Sequence, residues 1–220
     1  MLGYILAIDF KQAFDSLECD FLIETLYAFG FLEKFINHIR TLYKNIQVSV
    51  LNGGSTTGSF LLSRCVKQGC PVSGLLFILV IELFSIKIRV NPEIEGIVVR
   101  NETFKQSTYA DDVENFLKNI SSIKKTLKEL ELFGRASGLY CNIGKCEAMA
   151  LGDSPIEPIH YAGEKIKWVD EMTITGITFT KNEYENCEKN FEKAIEKLKT
   201  QLNIWKQRDL SLPNRKNPNY

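Results

Sequence analysis

Two adjacent carboxylates, Asp111 and Asp112, have Tyr109 and Ala110 before them and Val113 and Phe116 after. Like charges this close raise each other's pKa, and burial adds to the effect. A divalent cation removes the conflict, and hard carboxylate oxygens suit magnesium. Successive strand side chains point to opposite faces, so a tight hairpin turn is what would aim both acids at one site. A bare Asp-Asp pair is also an ordinary solvated turn, because Asp hydrogen-bonds locally there. The pair gains meaning only from its company.

Two other stretches supply that company. Asp9 ends the apolar run Gly3-Tyr4-Ile5-Leu6-Ala7-Ile8 and is followed by Phe10-Lys11-Gln12-Ala13-Phe14-Asp15. Either acid there could cap a helix, and Asp15 is read as structural in that way. The other is Lys67-Gln68-Gly69-Cys70-Pro71-Val72-Ser73-Gly74-Leu75-Leu76-Phe77. Gly69 permits positive φ or close backbone approach, and Pro71 pre-sets a turn ahead of a helix.

Taken in order, the three stretches resemble motifs A, B and C of reverse transcriptases. The match is to the non-LTR (LINE-type) retrotransposon branch, whose pattern runs D-F-x-K-A-F-D, R-Q-G-C-P-x-S-P-x-L-F and Y-A-D-D. Ser137-Gly138-Leu139-Tyr140-Cys141-Asn142-Ile143-Gly144-Lys145-Cys146-Glu147 is similar to the S-G-L-x-x-N-x-x-K-T-E segment, motif D. Thr175-Gly176-Ile177 is similar to Y-L-G-I, and Trp205 to Leu212 to the W-x-x-R-x-L-S-L stretch that begins the thumb. Motif A and the Leu210-Ser211-Leu212 stretch favour this branch over group II intron enzymes.

The resemblance implies an RNA-directed DNA polymerase working on an RNA template, a DNA primer and dNTPs. Asp9, Asp111 and Asp112 would hold two magnesium ions, with manganese a possible substitute and the Phe10 carbonyl a further ligand. Phe14 would bar a 2′-hydroxyl, although plain core packing is the other reading of that side chain. Gln68 and Gly69 would lie against the nucleotide and template base. Tyr109 would flank the primer terminus. Lys145 would donate a proton to pyrophosphate, where an isolated lysine is otherwise a solvated surface charge.

The elements that must position these groups make an α+β polymerase palm. An antiparallel sheet would carry the acids and helices would cover its other face, with a C-terminal helix beyond. Residues 3–8 read as a strand ending at Asp9. Helices are expected at 19–29 and 32–44, the second burying Leu32, Phe35, Ile36, Ile39, Leu42 and Tyr43, with Gly30 as the stop between them. Strands at 46–52 and 58–64 would flank an Asn52-Gly53-Gly54 turn. A buried helix over 72–89 and a strand-turn-strand over 97–118 follow. Ser121 is expected to cap a helix that buries Ile123, Leu127, Leu130 and Phe133 and stops at Gly138. Strands at 139–150, 159–161, 165–169 and 172–179 precede a helix at 184–206. The tail from Leu212 has no periodic pattern and is expected to be loose.

Bulk properties narrow the classes. Hydrophobic residues make up 45% and charged residues 25%, as in ordinary globular proteins. Acids and bases balance at 27 each, whereas a complete nucleic-acid polymerase would often be basic. Six cysteines form no C-x-x-C pair, and neither His38 nor His160 completes a zinc pattern. With no export signal and no apolar run of about 20 residues, free thiols in an intracellular, reducing compartment and no membrane partner are expected.

Residues 1–182 are assigned to the palm with partial fingers, and 183–220 to the start of a thumb and a loose tail. Only eight residues precede Asp9, so the upstream fingers are expected to be missing and the chain to be a truncated form. Lys67 stands for the usual Arg and Gly74 for the usual Pro, and a point charge is a poorer bidentate partner than a guanidinium. The alternative is an inactive retroelement remnant that folds and at most binds nucleic acid.

Overall fold

The computed structural model describes residues 2–61, 64, 66, 69–181 and 183–206. They form two compact units, one ending at Asp170 and one beginning at Glu171.

The first unit opens with strand β1 (Gly3–Ile8), where the apolar run predicts it. A left-handed Gln12 then starts the single turn α1 (Ala13–Ser16). Helices α2 (Cys19–Ala28) and α3 (Glu33–Tyr43) follow, and Gly30 at φ 77° takes the left-handed step between them. Gln12 and Glu18 occupy the two cap positions, so neither Asp9 nor Asp15 is a helix cap. On α3 only Ile36, Ile39 and Tyr43 are buried. Leu32, Phe35 and Leu42 stay exposed on the flank of that stripe, with the Phe35 ring stacked on Phe31 instead.

The expected strand at 46–52 is two shorter pieces. β2 (Gln47–Val48) pairs with β5 (Phe60–Leu61), and β3 (Leu51–Asn52) pairs with β4 (Ser55–Thr56) around Gly53-Gly54. Both glycines have positive φ, as a two-residue hairpin turn requires. Next comes α4 (Ser73–Val90), which buries Leu76, Phe77, Val80, Ile81, Phe84 and Ile88. Hairpin β6 (Ile97–Val99) and β7 (Glu102–Phe104) leads to hairpin β8 (Gln106–Tyr109) and β9 (Asp112–Leu117).

Helix α5 (Ile120–Ser137) is capped by Asn119, whose side chain accepts from the Ser122 backbone N–H at 2.8 Å. The expected cap at Ser121 is thus two residues late; extended backbone at Asn119 and its amide oxygen suit the cap position. After α5 the expected long strand is confined to β10 (Glu147–Leu151). Asn142 is the reason: its carbonyl accepts from the N–H groups of Lys145 and Cys146, closing a turn where a strand would have run. Short pieces β11 (His160–Tyr161), β12 (Glu164–Lys165) and β13 (Lys167–Trp168) complete the unit.

The main sheet has the order β13-β10-β1-β9-β8, antiparallel except for the parallel β10–β13 edge pair. Tyr4, Leu6 and Ile8 of β1, with Val113, Leu117, Ala148 and Ala150 from its neighbours, join one core with α4 and α5. The other face carries Ile5, Met149 and Phe116 as well as Ala7 and the acids, with Ile5 and Met149 buried. Here the sequence-based α+β palm, with helices on one side of the sheet, matches the architecture.

Gly138 shows how tightly the helix side is fitted. It ends α5 at φ 80°, and a Cβ there would lie 2.5 Å from the Ser16 carbonyl oxygen. Gly138→Ala is expected to cost about 1–3 kcal/mol from backbone strain alone, with the clash added. Urea unfolding reads this directly, and an unchanged midpoint would contradict the packing.

In the second unit β14 (Glu171–Ile174) and β15 (Ile177–Thr180) form a hairpin around Thr175-Gly176, both at positive φ. Helix α6 (Glu183–Lys206) presents Asn186 and Asn190 to the edge of β15. Asn190 accepts from the Thr178 N–H at 2.7 Å and donates to its carbonyl at 2.8 Å. Asn186 does the same at Thr180, so two side-chain amides satisfy the strand edge. The thumb-like stretch from Gln207 and the tail lie outside the described residues.

Candidate active site

Sheet register sets the positions of the acids. Ala7 stands opposite Glu114, and Ile8 opposite Val113. The ladder ends at that pair, with Asp9 following Ile8 and Asp112 preceding Val113, and the Asp9 charge is felt at Asp112. Alternation sends Ile8 and Val113 into the helix-side core, so Asp112 belongs to the opposite face, beside the end of β1 where Asp9 follows. Tyr109 pairs with Asp112 across a two-residue turn made of Ala110 and Asp111. Ala110 takes φ 56° there. The tight hairpin that the paired acids require is present.

Asp9 is held through its backbone. Its carbonyl accepts from the Asn142 N–H at 2.8 Å and from the Cys146 thiol at 3.8 Å, while Lys11 N–H donates to Tyr140. These contacts lace the loop before β10 to the end of β1 and bring Lys145 Nζ to 3.6 Å from Asp9 Oδ1. The lysine side chain is mostly exposed, so the pair adds little stability. Asp9 Oδ2 is buried and has no hydrogen-bond partner.

Partial burial raises the Asp112 carboxyl pKa, and the negative charges of Asp111 and then Asp9 push it further the same way. Glu114, two residues along β9, is also raised, first by burial and then by Asp112. An ion drawn between these groups would relieve both the repulsion and the orphaned oxygen of Asp9. Their all-oxygen donor set fits a hard divalent cation. Among the described residues, no three carboxylate, thiol or imidazole side chains already stand at ligand spacing. Asp111 and Asp112 are exposed, so binding would require their side chains to turn toward Asp9.

The other expected site residues divide into two groups. Tyr109 is exposed, beside a groove lined by Ile78, Ile81, Glu82, Thr108 and Ala110. Gly69 has φ 87° with open space around it. Gln68 lies outside the described residues. The Phe10 side chain, by contrast, is buried in the core, and its backbone bridges to Cys141. Phe14 is half-buried and stacks on Phe77 with ring centroids 4.6 Å apart.

A strand ending in one acid, paired with a hairpin carrying two more over a helix-backed sheet, is the palm arrangement of template-directed polymerases. The chain matches the model of the family Reverse transcriptase (RNA-dependent DNA polymerase) over residues 2–179, and it belongs to that family. It is 28% identical over 204 residues to the Transposon TX1 uncharacterized 149 kDa protein of Xenopus laevis, covering 91% of this chain and 15% of that one. It is 28% identical over 195 residues to the Retrovirus-related Pol polyprotein from type-2 retrotransposable element R2DM of Drosophila melanogaster, covering 84% and 18%. These relatives are of the non-LTR retrotransposon kind, as the motifs imply, and the chain spans under a fifth of their lengths. Apo telomerase from Candida tropicalis, truncated from its C-terminal domain, superposes with a TM-score of 0.58 at 14% identity, over 81% of this chain and 34% of that one. That likeness is one of fold. Among the described residues no helix is long and apolar enough to cross a membrane.

Proposed function

We propose that this chain is the catalytic palm of an RNA-directed DNA polymerase, extending a DNA primer with dNTPs on an RNA template. The observation that carries the reading is that the end of β1, where Asp9 follows Ile8, meets the start of β9, where Asp112 precedes its partner Val113, with Asp111 in the adjoining turn. Asp9, Asp111 and Asp112 would hold two magnesium ions, which manganese could replace. When bound, such ions lower the pKa of the primer 3′-hydroxyl and offset charge on the triphosphate and pyrophosphate.

The remaining roles belong to the chain's own groups. Lys145 would give its proton to pyrophosphate, a role that its ion pair with Asp9 supports. Tyr109 would flank the primer end, and its exposure at the hairpin supports that role. Gln68 and Gly69 would bear on the incoming nucleotide and the template base, and the Phe10 carbonyl would add a ligand. Phe14, braced by Phe77, offers a fixed ring edge against a 2′-hydroxyl.

The reading is tested by extension of a DNA primer on an RNA template, with incorporation following the template base. Nucleotide choice gives a second readout. Phe14→Val is expected to raise rNTP incorporation relative to dNTP by at least about tenfold, a 1.4 kcal/mol change in discrimination. Unaltered preference in a folded variant would assign Phe14 to core packing.

A further inference from the structure

We propose that Cys141 and Cys146 form a reversible redox pair, whose oxidation to a disulfide disturbs the loop that anchors Asp9 and so slows catalysis. The effect on catalysis rests on the polymerase reading of Asp9 given above, whereas the sulfur chemistry stands apart from it.

The turn at Asn142 brings the two cysteines together. Cys141 precedes Asn142, and the Cys146 N–H donates to the Asn142 carbonyl at 3.0 Å, so the chain folds back between them. Both then meet the end of β1. Cys141 forms an antiparallel bridge with Phe10, and the Cys146 thiol donates to the Asp9 carbonyl at 3.8 Å. The two thiols also hydrogen-bond to each other. Both are buried in the main core, and both are free. Cross-linking needs sulfurs that face each other at close range, and these do.

Other cysteines are placed differently. Cys70 meets the Tyr43 hydroxyl at 3.9 Å, and Cys187 is exposed on α6. Cys146 stands where the motif D pattern has threonine, which cannot cross-link. The pair therefore belongs to this chain and not to the motif.

The oxidant that suits a buried pair is a peroxide, small enough to enter during a brief opening of the loop. Gly144 and Lys145 are exposed, and Asn142 and Ile143 are half-buried, so the opening involves one short surface stretch. Hydrogen peroxide oxidises one thiol to a sulfenic acid, its O–O bond breaking and water leaving. The sulfur of the second thiol then displaces the sulfenic hydroxyl, forming the S–S bond and a second water. Two thiols are oxidised, one peroxide is reduced, and both S–H protons end in water. A thiol reductant reverses the bond.

The disulfide removes the S–H that donates to the Asp9 carbonyl and draws the two ends of the loop together. Lys145, next to Cys146, moves with the loop, which disturbs its 3.6 Å contact with Asp9 Oδ1.

The test compares the full chain when reduced, when treated with hydrogen peroxide, and when reduced again with dithiothreitol. Peptide mass mapping is expected to find Cys141 joined to Cys146 in the treated chain only. Single-nucleotide incorporation is expected to fall by about ten- to a hundredfold on treatment, the scale of a small misplacement of a reacting group. Dithiothreitol should restore it. Cys141→Ala should lose both the linkage and the reversible loss of incorporation. Cys187→Ala, changed at an exposed thiol, should keep both.

Absence of the linkage from treated, folded wild type would overturn the pair. A linkage with unchanged incorporation would overturn its control of the site. So would an equal loss in treated Cys141→Ala, because oxidation elsewhere would then be the cause. No incorporation by folded, reduced wild type would remove the polymerase reading and the control derived from it, while the mass map would still decide the pair. Should Cys141→Ala fold poorly, Cys141→Ser, closer in volume, supplies the comparison.

Discussion

Asp112→Asn is expected to separate stability from activity. The Asp112 carboxyl is raised by its partial burial and by the charges of Asp111 and Asp9, so its charged form is held against local repulsion. An amide in its place removes that repulsion. The variant should unfold within about 1 kcal/mol of wild type, as surface changes do, with any shift toward greater stability. Nucleotide incorporation should fall at least about a thousandfold, or about 4 kcal/mol in the barrier. The opposite signs mark a site whose arrangement serves a ligand and not the fold. Thermal unfolding and primer extension on one preparation check both halves. A large loss of stability would mean that Asp112 is structural.

Phe77→Ala is expected to have the largest effect on the fold. Phe77 is wholly buried on α4, and its ring stacks on Phe14. Truncating a buried Phe costs about 3–5 kcal/mol through lost transfer energy and the cavity left behind. For a unit of this size that corresponds to a fall of roughly 10 °C in melting temperature. The second consequence is local. Without Phe77 behind it, the Phe14 ring is free to tilt, so the discrimination between dNTP and rNTP should relax in the same variant. A destabilisation below about 1 kcal/mol by urea titration would show that the site collapses, or that the packing is not as described.

Much of the architecture was legible because its signals are local and strong. The apolar run into Asp9 is a strand, the continuous apolar stretch from Ser73 is a buried helix, and Gly30 and Gly138 stop helices where positive φ is needed. The hairpin that carries Asp111 and Asp112 was legible from the requirement that both acids meet. What failed was decided by competition among neighbours. Asn119 is the cap and not Ser121 because Asn119 keeps extended backbone and its amide oxygen takes the Ser122 N–H, which leaves Ser121 inside the first turn. The stretch 139–146 alternates weakly enough for a strand, yet Asn142 gathers two N–H groups into a turn. That turn delivers Lys145 to Asp9, a contact between residues far apart in sequence that no periodicity could show.

The site divides in the same way. Residue types announced the three aspartates, but not the depth of the acidic face. The burial of Glu114 behind Asp112 depends on the register that sets it opposite Ala7, which no local pattern gives. Phe14 could be core or gate by spacing alone, and its half-buried stack on Phe77 is compatible with a ring that is both braced and partly presented.

The most direct measurement is single-nucleotide incorporation into a DNA primer annealed to an RNA template, with magnesium, by wild type and Asp111→Ala matched for folding. Template-directed incorporation by wild type that vanishes in Asp111→Ala, and on removal of the divalent ion, is the predicted result. Equal incorporation by the two proteins, or none by folded wild type, would contradict the assignment of this sheet face as a polymerase centre.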